Sequence, residues 1–466
     1  NSLFALFEKG KLYMSFGEKI LNDKDDILKD LNTLVSFKSI SRYYNDECEK
    51  ALDFIMSRAE EFGLTSKKVA SNCGHVQLGD SGKLCGVLTH LDVVPEGNGW
   101  NTEPFALTVK DGRYYGRGVA DDKGFALITL YCLKALKDNN VDIKNTLRAI
   151  FGTDEEVGMN DMRTYFENEP LPEMAFTPDS NYGICVGEKG ILQVEISLDR
   201  HDGTILTELN GGDAINAVPD YAYALLDASE NDDHQLLRLA DARDGDFEFK
   251  YTIDGMMIIS RGKSAHACEP DLGKNAITEL VSLLCSHYGL KAMGSICSFI
   301  NYRIGTETNG ISMGLKMRDA ASGDLTINVG TVRIGENGAS ATLDIRYPVT
   351  VNGKDIIDRV FSAAKYEGLN FRIIKHEKPV YFEKDSKLVN LLSEAYKDVM
   401  GEYPNLYTTG GGTYAKTLGG KGLAFGGVFP DDECGLHQAN ESIDAEKFFL
   451  HAQICLEAMY KMAAED

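Results

Sequence analysis

Two apolar runs with a helical run between them set the tightest limit on how this chain can fold. CGVLTHLDVV, residues 85–94, and NTLRAIFGT, residues 145–153, are short and rich in branched side chains. They read as buried strands, apolar on both faces. Between them KGFALITLYCLKALKD, residues 123–138, reads as a largely buried helix. Strand, helix, strand in this order predicts a mainly parallel sheet covered by helices.

The rest of the chain surrounds that core with two kinds of pattern. Residues 24–37 predict an amphipathic helix with Ile27, Leu28, Leu31, Leu34 and Val35 on one face. A second helix is expected over residues 49–62, stopped by Gly63. From residue 191 the pattern changes: ILQVEISL and, near residue 345, ATLDIRY alternate apolar and polar, as half-exposed strands do. KNAITELVSLLCSHYG predicts a helix between them, so this stretch reads as an α+β unit. After residue 382 helices return, and Phe448, Ala452, Cys455, Met459 and Met462 form a core-facing stripe on the last one. The expected organisation is an α/β domain of residues 1–188 and 382–466, interrupted by an inserted domain of residues 189–381.

Charge and composition narrow the function. A formal net charge of −23 argues against a nucleic-acid partner, which needs clustered Lys and Arg. No segment approaches the ~20 apolar residues that span a membrane. The opening NSLFALFEKGKLY lacks the basic start and cleavage site of a signal peptide, and Met14 is a plausible natural start after a leader of residues 1–13. The 10 cysteines lie in apolar stretches with none at Cys-x-x-Cys spacing, which predicts buried free thiols in a reducing, cytoplasmic setting.

Chemistry concentrates in a few short motifs. THLDVVPEG, residues 89–97, places His90 at a strand end with Asp92 two residues on, the same side of an extended chain. YGRGVADDKG, residues 115–124, surrounds Asp121 and Asp122 with glycines; adjacent acids repel unless solvated or bound to a cation. FGTDEEVGMND, residues 151–161, puts Asp154, Glu155 and Glu156 directly after a buried strand, where open α/β sheets gather ligands. FTPDS carries Asp179 and GLHQANE carries His437. Each alone has an ordinary structural reading: a core histidine, a solvated turn or a charged loop. Together they supply imidazoles and carboxylates, a donor set that suits zinc and also manganese or cobalt. No cysteine stands among them, which argues against a closed structural zinc site.

HLDVVPEG, GRGVADDKG, DEEVG, PDS and LHQANE, in that order, resemble the co-catalytic zinc peptidases that include carboxypeptidases, aminoacylases and dipeptidases, and most of all the PepV-type dipeptidases. The resemblance implies a zinc-peptidase catalytic domain with an inserted lid, two Zn2+ per chain (Mn2+ or Co2+ as substitutes) and a dipeptide substrate. Asp121 would bridge the metals, His90 and Asp179 would complete one site, and Glu156 and His437 the other. Glu155 would be the general base, Asp92 would orient His90, and the bond after Asp121 would be cis. In the lid, GGDAINAVPD offers Asn216 for substrate, GKSAHACEP offers His266 as a catalytic hydrogen-bond donor, and LDIRYP offers Arg346 for the substrate carboxylate. GGGTYAK resembles the glycine loop of the same pocket, with Gly411 and Gly412. Asp213 departs from the pattern, where small or neutral residues are common. Residue by residue, the alternative for Arg346 is a surface arginine. The long lid implies that a monomer can work, with a homodimer as the alternative. An aminoacylase or carboxypeptidase would share the metal core; a non-catalytic peptide binder should have lost a ligand or the base, and all are present.

Overall fold

The computed structural model describes residues 15–228, 233–243 and 245–464. The leader expected over residues 1–13, and Met14, lie outside them. The chain forms two compact units, one of Asn1–Val186, Phe382–Tyr407 and Thr413–Asp466, the other of Gly187–Tyr381 and Thr408–Gly412. The small segment 408–412 therefore falls outside the returning catalytic part expected over 382–466. Its partners explain why: Lys189 N–H donates to Thr409 O at 2.9 Å, Thr408 Oγ1 to Ala321 O at 3.1 Å and Arg346 Nη1 to Gly410 O at 2.8 Å.

In the first unit the strands β1 (Thr65–Ala70), β2 (Cys73–Leu78), β3 (Leu84–His90), β4 (Thr146–Gly152), β5 (Met174–Thr177), β6 (Ile184–Glu188) and β7 (Gly422–Phe425) lie side by side in the order β1-β2-β4-β3-β5-β7-β6. The inner four, β4-β3-β5-β7, are parallel. The outer pairings are antiparallel, so the expected parallel character holds for the centre of the sheet. The helices are α1 (Lys24–Ser36), α2 (Asn45–Glu61), α3 (Lys123–Asp138), α4 (Asn160–Asn168), α5 (Lys387–Met400) and α6 (Ala445–Ala464). α3 is buried almost all round, from Phe125 to Leu136, because α1 and α6 pack against it over the sheet. A helix enclosed in this way can afford an apolar surface on every side. The stripe Phe448, Ala452, Cys455, Met459 and Met462 on α6 belongs to the same core.

Two buried histidines tie acid stability to this core. His451 on α6 is 1% exposed, meets the Tyr182 hydroxyl through Nδ1 at 2.9 Å and packs on the Phe125 ring. His75 on β2 pairs likewise with the Tyr165 hydroxyl at 2.9 Å. Burial pushes His451 down to about 3, and burial aided by Arg148 pushes His75 down to about 4. Below the ordinary histidine value near ~6.5 the unfolded chain takes up protons that the folded chain refuses, so stability falls as pH drops. The window runs from there to about 4 for His75 and about 3 for His451, at up to ~1.4 kcal/mol per pH unit for each. In denaturant titrations between pH 6.5 and 4.5, His451→Gln should lose stability less steeply than the parent, by up to ~1.4 kcal/mol per pH unit. A slope equal to the parent's would remove His451 from the account.

The second unit is an eight-stranded antiparallel sheet. Thr326–Gly335 and Gly338–Tyr347 form a hairpin at its centre, and Gly190–Leu198 pairs with the latter strand from Gly190↔Tyr347 to Leu198↔Ala339. Helix Ala276–Tyr288 covers one face, its start capped by the Asn275 side chain, which accepts from Ile277 N–H at 3.0 Å and Thr278 N–H at 3.2 Å. The expected alternation holds at one end only. Glu195 and Ser197 are half-buried on the opposite face, but Gly190–Val194 and Leu343–Tyr347 are buried throughout. All ten cysteines are free thiols, and Cys268 alone is partly exposed. No helix among the described residues is long and apolar enough to cross a membrane.

Candidate metal centre

Three of the five sequence-predicted ligands, His90, Glu156 and Asp179, sit at or just after the end of a strand. β3 ends on His90, β4 on Gly152 just before Asp154, and β5 on Thr177 just before Asp179. Parallel strands deliver those ends to one edge of the sheet, and the register pairs His90 directly with Gly152. Asp121 stands two residues before α3, and the Asp121–Asp122 peptide bond is cis. His437 lies in the loop before α6 and takes a φ of 61°, the left-handed region that few side chains visit unsupported.

These residues converge. Asp121 Oδ1 lies 3.1 Å from His90 Nε2, and Asp121 Oδ2 lies 2.9 Å from His437 Nε2. His437 Nε2 is also 3.2 Å from Glu156 Oε2, and His90 Nε2 is 3.8 Å from Asp179 Oδ2. Donor atoms of His90, Asp121 and Glu156 fall within 4.8 Å of one another, as do those of His90, Glu155 and Asp179. His90 is fully buried, while His437 keeps 56% of its side chain accessible.

The electrostatics call for positive charge. Four carboxylates share this cluster with two imidazoles. Burial and then the charge of Asp121 push Asp179 up to about 7. Burial and Asp179 hold Glu155 well above the usual carboxylate range, and burial with Asp121 raises Glu156. Burial opposes the charged form of both imidazoles, yet both are raised, His90 by Asp121 and Asp92 and His437 by Asp121 and Glu156. Buried acids need either protons or cations as partners. Imidazole nitrogens and carboxylate oxygens packed this closely suit a divalent metal ion, so the donor set fits one.

Asp92 does more than the motif suggests. β3 stops at His90, so strand alternation does not aim Asp92; its main-chain oxygen accepts from His90 Nδ1 at 3.0 Å, with its carboxylate 3.4 Å away. The carboxylate accepts from the Glu155 N–H at 3.2 Å, the Glu156 N–H at 3.3 Å and Ser41 Oγ at 2.8 Å. Sequence reasoning missed Ser41, which has no motif around it, and Asp122, whose Oδ2 accepts the His90 N–H at 3.0 Å. It also missed Glu441 and Arg117, although both lie inside quoted motifs. Glu441 accepts from Arg117 Nη1 at 2.7 Å, Gly118 N–H at 3.0 Å and Ala120 N–H at 3.0 Å.

The remaining predicted residues belong to the second unit. Asn216 and His266 are exposed, and Gly411 and Gly412 are half-buried. Asp213, the departure from the expected pattern, is exposed as well. Arg346 is 4% exposed, so it is no surface arginine. Asp344 takes two of its donors, Nε at 2.5 Å and Nη2 at 2.9 Å, and Gly410 O takes a third. A guanidinium has five N–H donors, which leaves two for a ligand.

The family description "Peptidase family M20/M25/M40" matches residues 86–461, the span that holds all of these motifs. The chain belongs to this peptidase family. The peptidase is 31% identical over 470 residues to a Bacillus subtilis (strain 168) protein named "Putative dipeptidase YtjP", covering 97% of this chain and 100% of that one. Its fold matches human carnosine dipeptidase 1 with a TM-score of 0.61 at 14% identity, covering 96% of this chain and 98% of that one. It also matches an M20 family metallo-carboxypeptidase of Sulfolobus solfataricus with a TM-score of 0.61 at 19% identity, over 94% and 100% of the two chains. At such identities the two solved structures bear on the fold of the peptidase alone.

Proposed function

We propose that this peptidase is a PepV-type dipeptidase that works with two divalent metal ions, zinc in the first instance. One observation carries the reading: the two oxygens of Asp121 each face a different imidazole, His90 on one side and His437 on the other. A carboxylate so placed suits the bridge of a two-metal site. His90 and Asp179 would complete one position, and Glu156 and His437 the other. When bound, the ions would lower the pKa of an attached water toward ~7 and polarise the substrate carbonyl.

The chain's own groups do the rest. Glu155, held beside His90 and Asp179, accepts the proton of the attacking water and later gives it to the leaving amine nitrogen. A carboxyl raised by burial is suited to both transfers near neutrality. Asp92 keeps the His90 Nε2 lone pair available by engaging the other ring nitrogen. In the second unit, His266 is the proposed donor to the carbonyl oxygen, Asn216 and the Gly411–Gly412 backbone contact substrate, and Arg346 offers its remaining N–H groups to a free carboxylate. Support for dipeptides over other substrates comes from the relative's name and from the motif resemblance in the second unit.

A hydrolysis panel tests this. Free dipeptides, their N-acetylated and C-amidated forms and a tripeptide should be compared, with chelator and with zinc or manganese restored. Free dipeptides should be cleaved fastest, with activity lost to chelator and regained with metal. Preference for the N-acetylated form would favour an aminoacylase, and efficient cleavage of longer peptides a carboxypeptidase. Binding without turnover under every metal condition would make the chain a peptide binder.

A further inference from the structure

We infer that Asp161 and Tyr414 form a positioning pair that sets the placement of Glu155, so that the hydroxyl of Tyr414 acts on turnover without touching substrate. This deepens the reading above and rests on Glu155 being the base.

Three consecutive amides of the acid loop are held by buried carboxylates. Asp92 accepts from the N–H groups of Glu155 and Glu156. Asp161 Oδ2 accepts from the Asp154 N–H at 2.8 Å, and its Oδ1 from the Met162 N–H at 2.6 Å. Asp161 is fully buried on α4 and has a further partner from far along the chain, the Tyr414 hydroxyl, which donates to Oδ2 at 2.5 Å. Tyr414 is also fully buried, and its ring meets the His90 imidazole edge-on with centroids 6.3 Å apart.

The pair sits against the backbone that carries the site. A Cβ on Gly152 would lie only 2.1 Å from Tyr414 Oη and 2.2 Å from Asp161 Oδ2. Gly152 is the register partner of His90 and the last residue of β4 before the acid loop. A glycine there lets the hydroxyl and carboxylate press directly on the main chain. The contacts close a circuit: His90 to Asp92, Asp92 to the amides of residues 155 and 156, Asp154 to Asp161, Asp161 to Tyr414 and Tyr414 back to the His90 ring. Asp161 and Tyr414 form the half of that circuit that touches no proposed ligand oxygen. Releasing it frees the loop on the side of Asp154 while Asp92 still holds the other two amides. Misplacing a general base by a fraction of an ångström is felt in the chemical step before it is felt in binding.

The test is Tyr414→Phe, which keeps the ring against His90 and deletes only the hydroxyl, together with Asp161→Asn and the double variant. The readouts are kcat and KM on a dipeptide, metal content and the thermal midpoint. Tyr414→Phe should lower kcat about 10-fold or more, with KM and metal content unchanged. The double variant should be no worse than the poorer single variant, because both remove the same bond. Full kcat in a folded Tyr414→Phe overturns the inference. So does a loss of metal in step with activity, which would make the pair a support for ligands instead. If Asp161→Asn does not fold, Tyr414→Phe alone decides. Glu155→Ala in the same assay separates the two readings: a variant that still turns over would overturn the base assignment itself.

Discussion

Replacing Glu155 by alanine should leave the metal content of the enzyme intact and cut kcat by about 10²- to 10⁴-fold, the usual contribution of a positioned general acid–base. One contact distinguishes the two neighbouring glutamates. Glu156 Oε2 is 3.2 Å from His437 Nε2, so its oxygen is committed to the ligand cluster. Glu155 instead shares a cluster with His90 and Asp179, with its carboxyl raised by burial and then by the charge of Asp179. Its removal takes away a proton acceptor, and the amide that held it in place still bonds Asp92. Metal analysis beside steady-state kinetics checks the result. An alanine variant with substantial kcat would move the base elsewhere; one that loses metal would make Glu155 a ligand.

Glu441→Ala should be the most destabilising single change near the site. The Glu441 and Arg117 side chains are 0% and 1% exposed and 2.7 Å apart. The carboxylate also takes the N–H groups of Gly118 and Ala120, both within three residues of Asp121. Truncation leaves a buried guanidinium without its counter-charge and orphans those amides, a loss of ~3–5 kcal/mol. Because Glu441 stands four residues after His437 and holds the loop leading into Asp121, metal affinity should fall with stability. The thermal midpoint should drop by roughly ten degrees, and more metal should be needed to restore activity. Glu441→Gln, which keeps the shape and one acceptor, should lose less. An alanine variant with parental midpoint and metal affinity would show that the Arg117 pair is dispensable.

The difference between Glu155 and Glu441 also marks what could be read from the chain alone. Glu155 belongs to a run of acids after an apolar strand, an arrangement with few uses other than a site. Glu441 closes the motif GLHQANE, but nothing in that string says that it reaches back more than three hundred residues to Arg117. Asp161 and Tyr414 are similar: both lie in motifs that point to function, and neither motif shows that one accepts a bond from the other. Ser41 had no signal at all.

Arg346 shows the same limit from another side. Its strand alternates like a half-exposed one, and a surface arginine was a fair reading of the pattern. Burial at that end of the sheet, a carboxylate two residues away and a carbonyl from the 408–412 segment changed its meaning. Asp92 lies beside His90, but not through strand alternation: the strand ends before it and the contact passes mainly through its own carbonyl oxygen.

What the sequence determined by itself was local: apolar runs of the right length and period for strands and helices, and ligand-type side chains at their ends. Those depend on residues a few positions apart, whose spacing alone decides which face they share. The tertiary structure decided the pairings between distant segments: which oxygen of Asp121 faces which imidazole, and which buried carboxylate holds which loop. Such contacts join residues up to hundreds of positions apart, and only the packing of a parallel sheet brings the ends of its strands together.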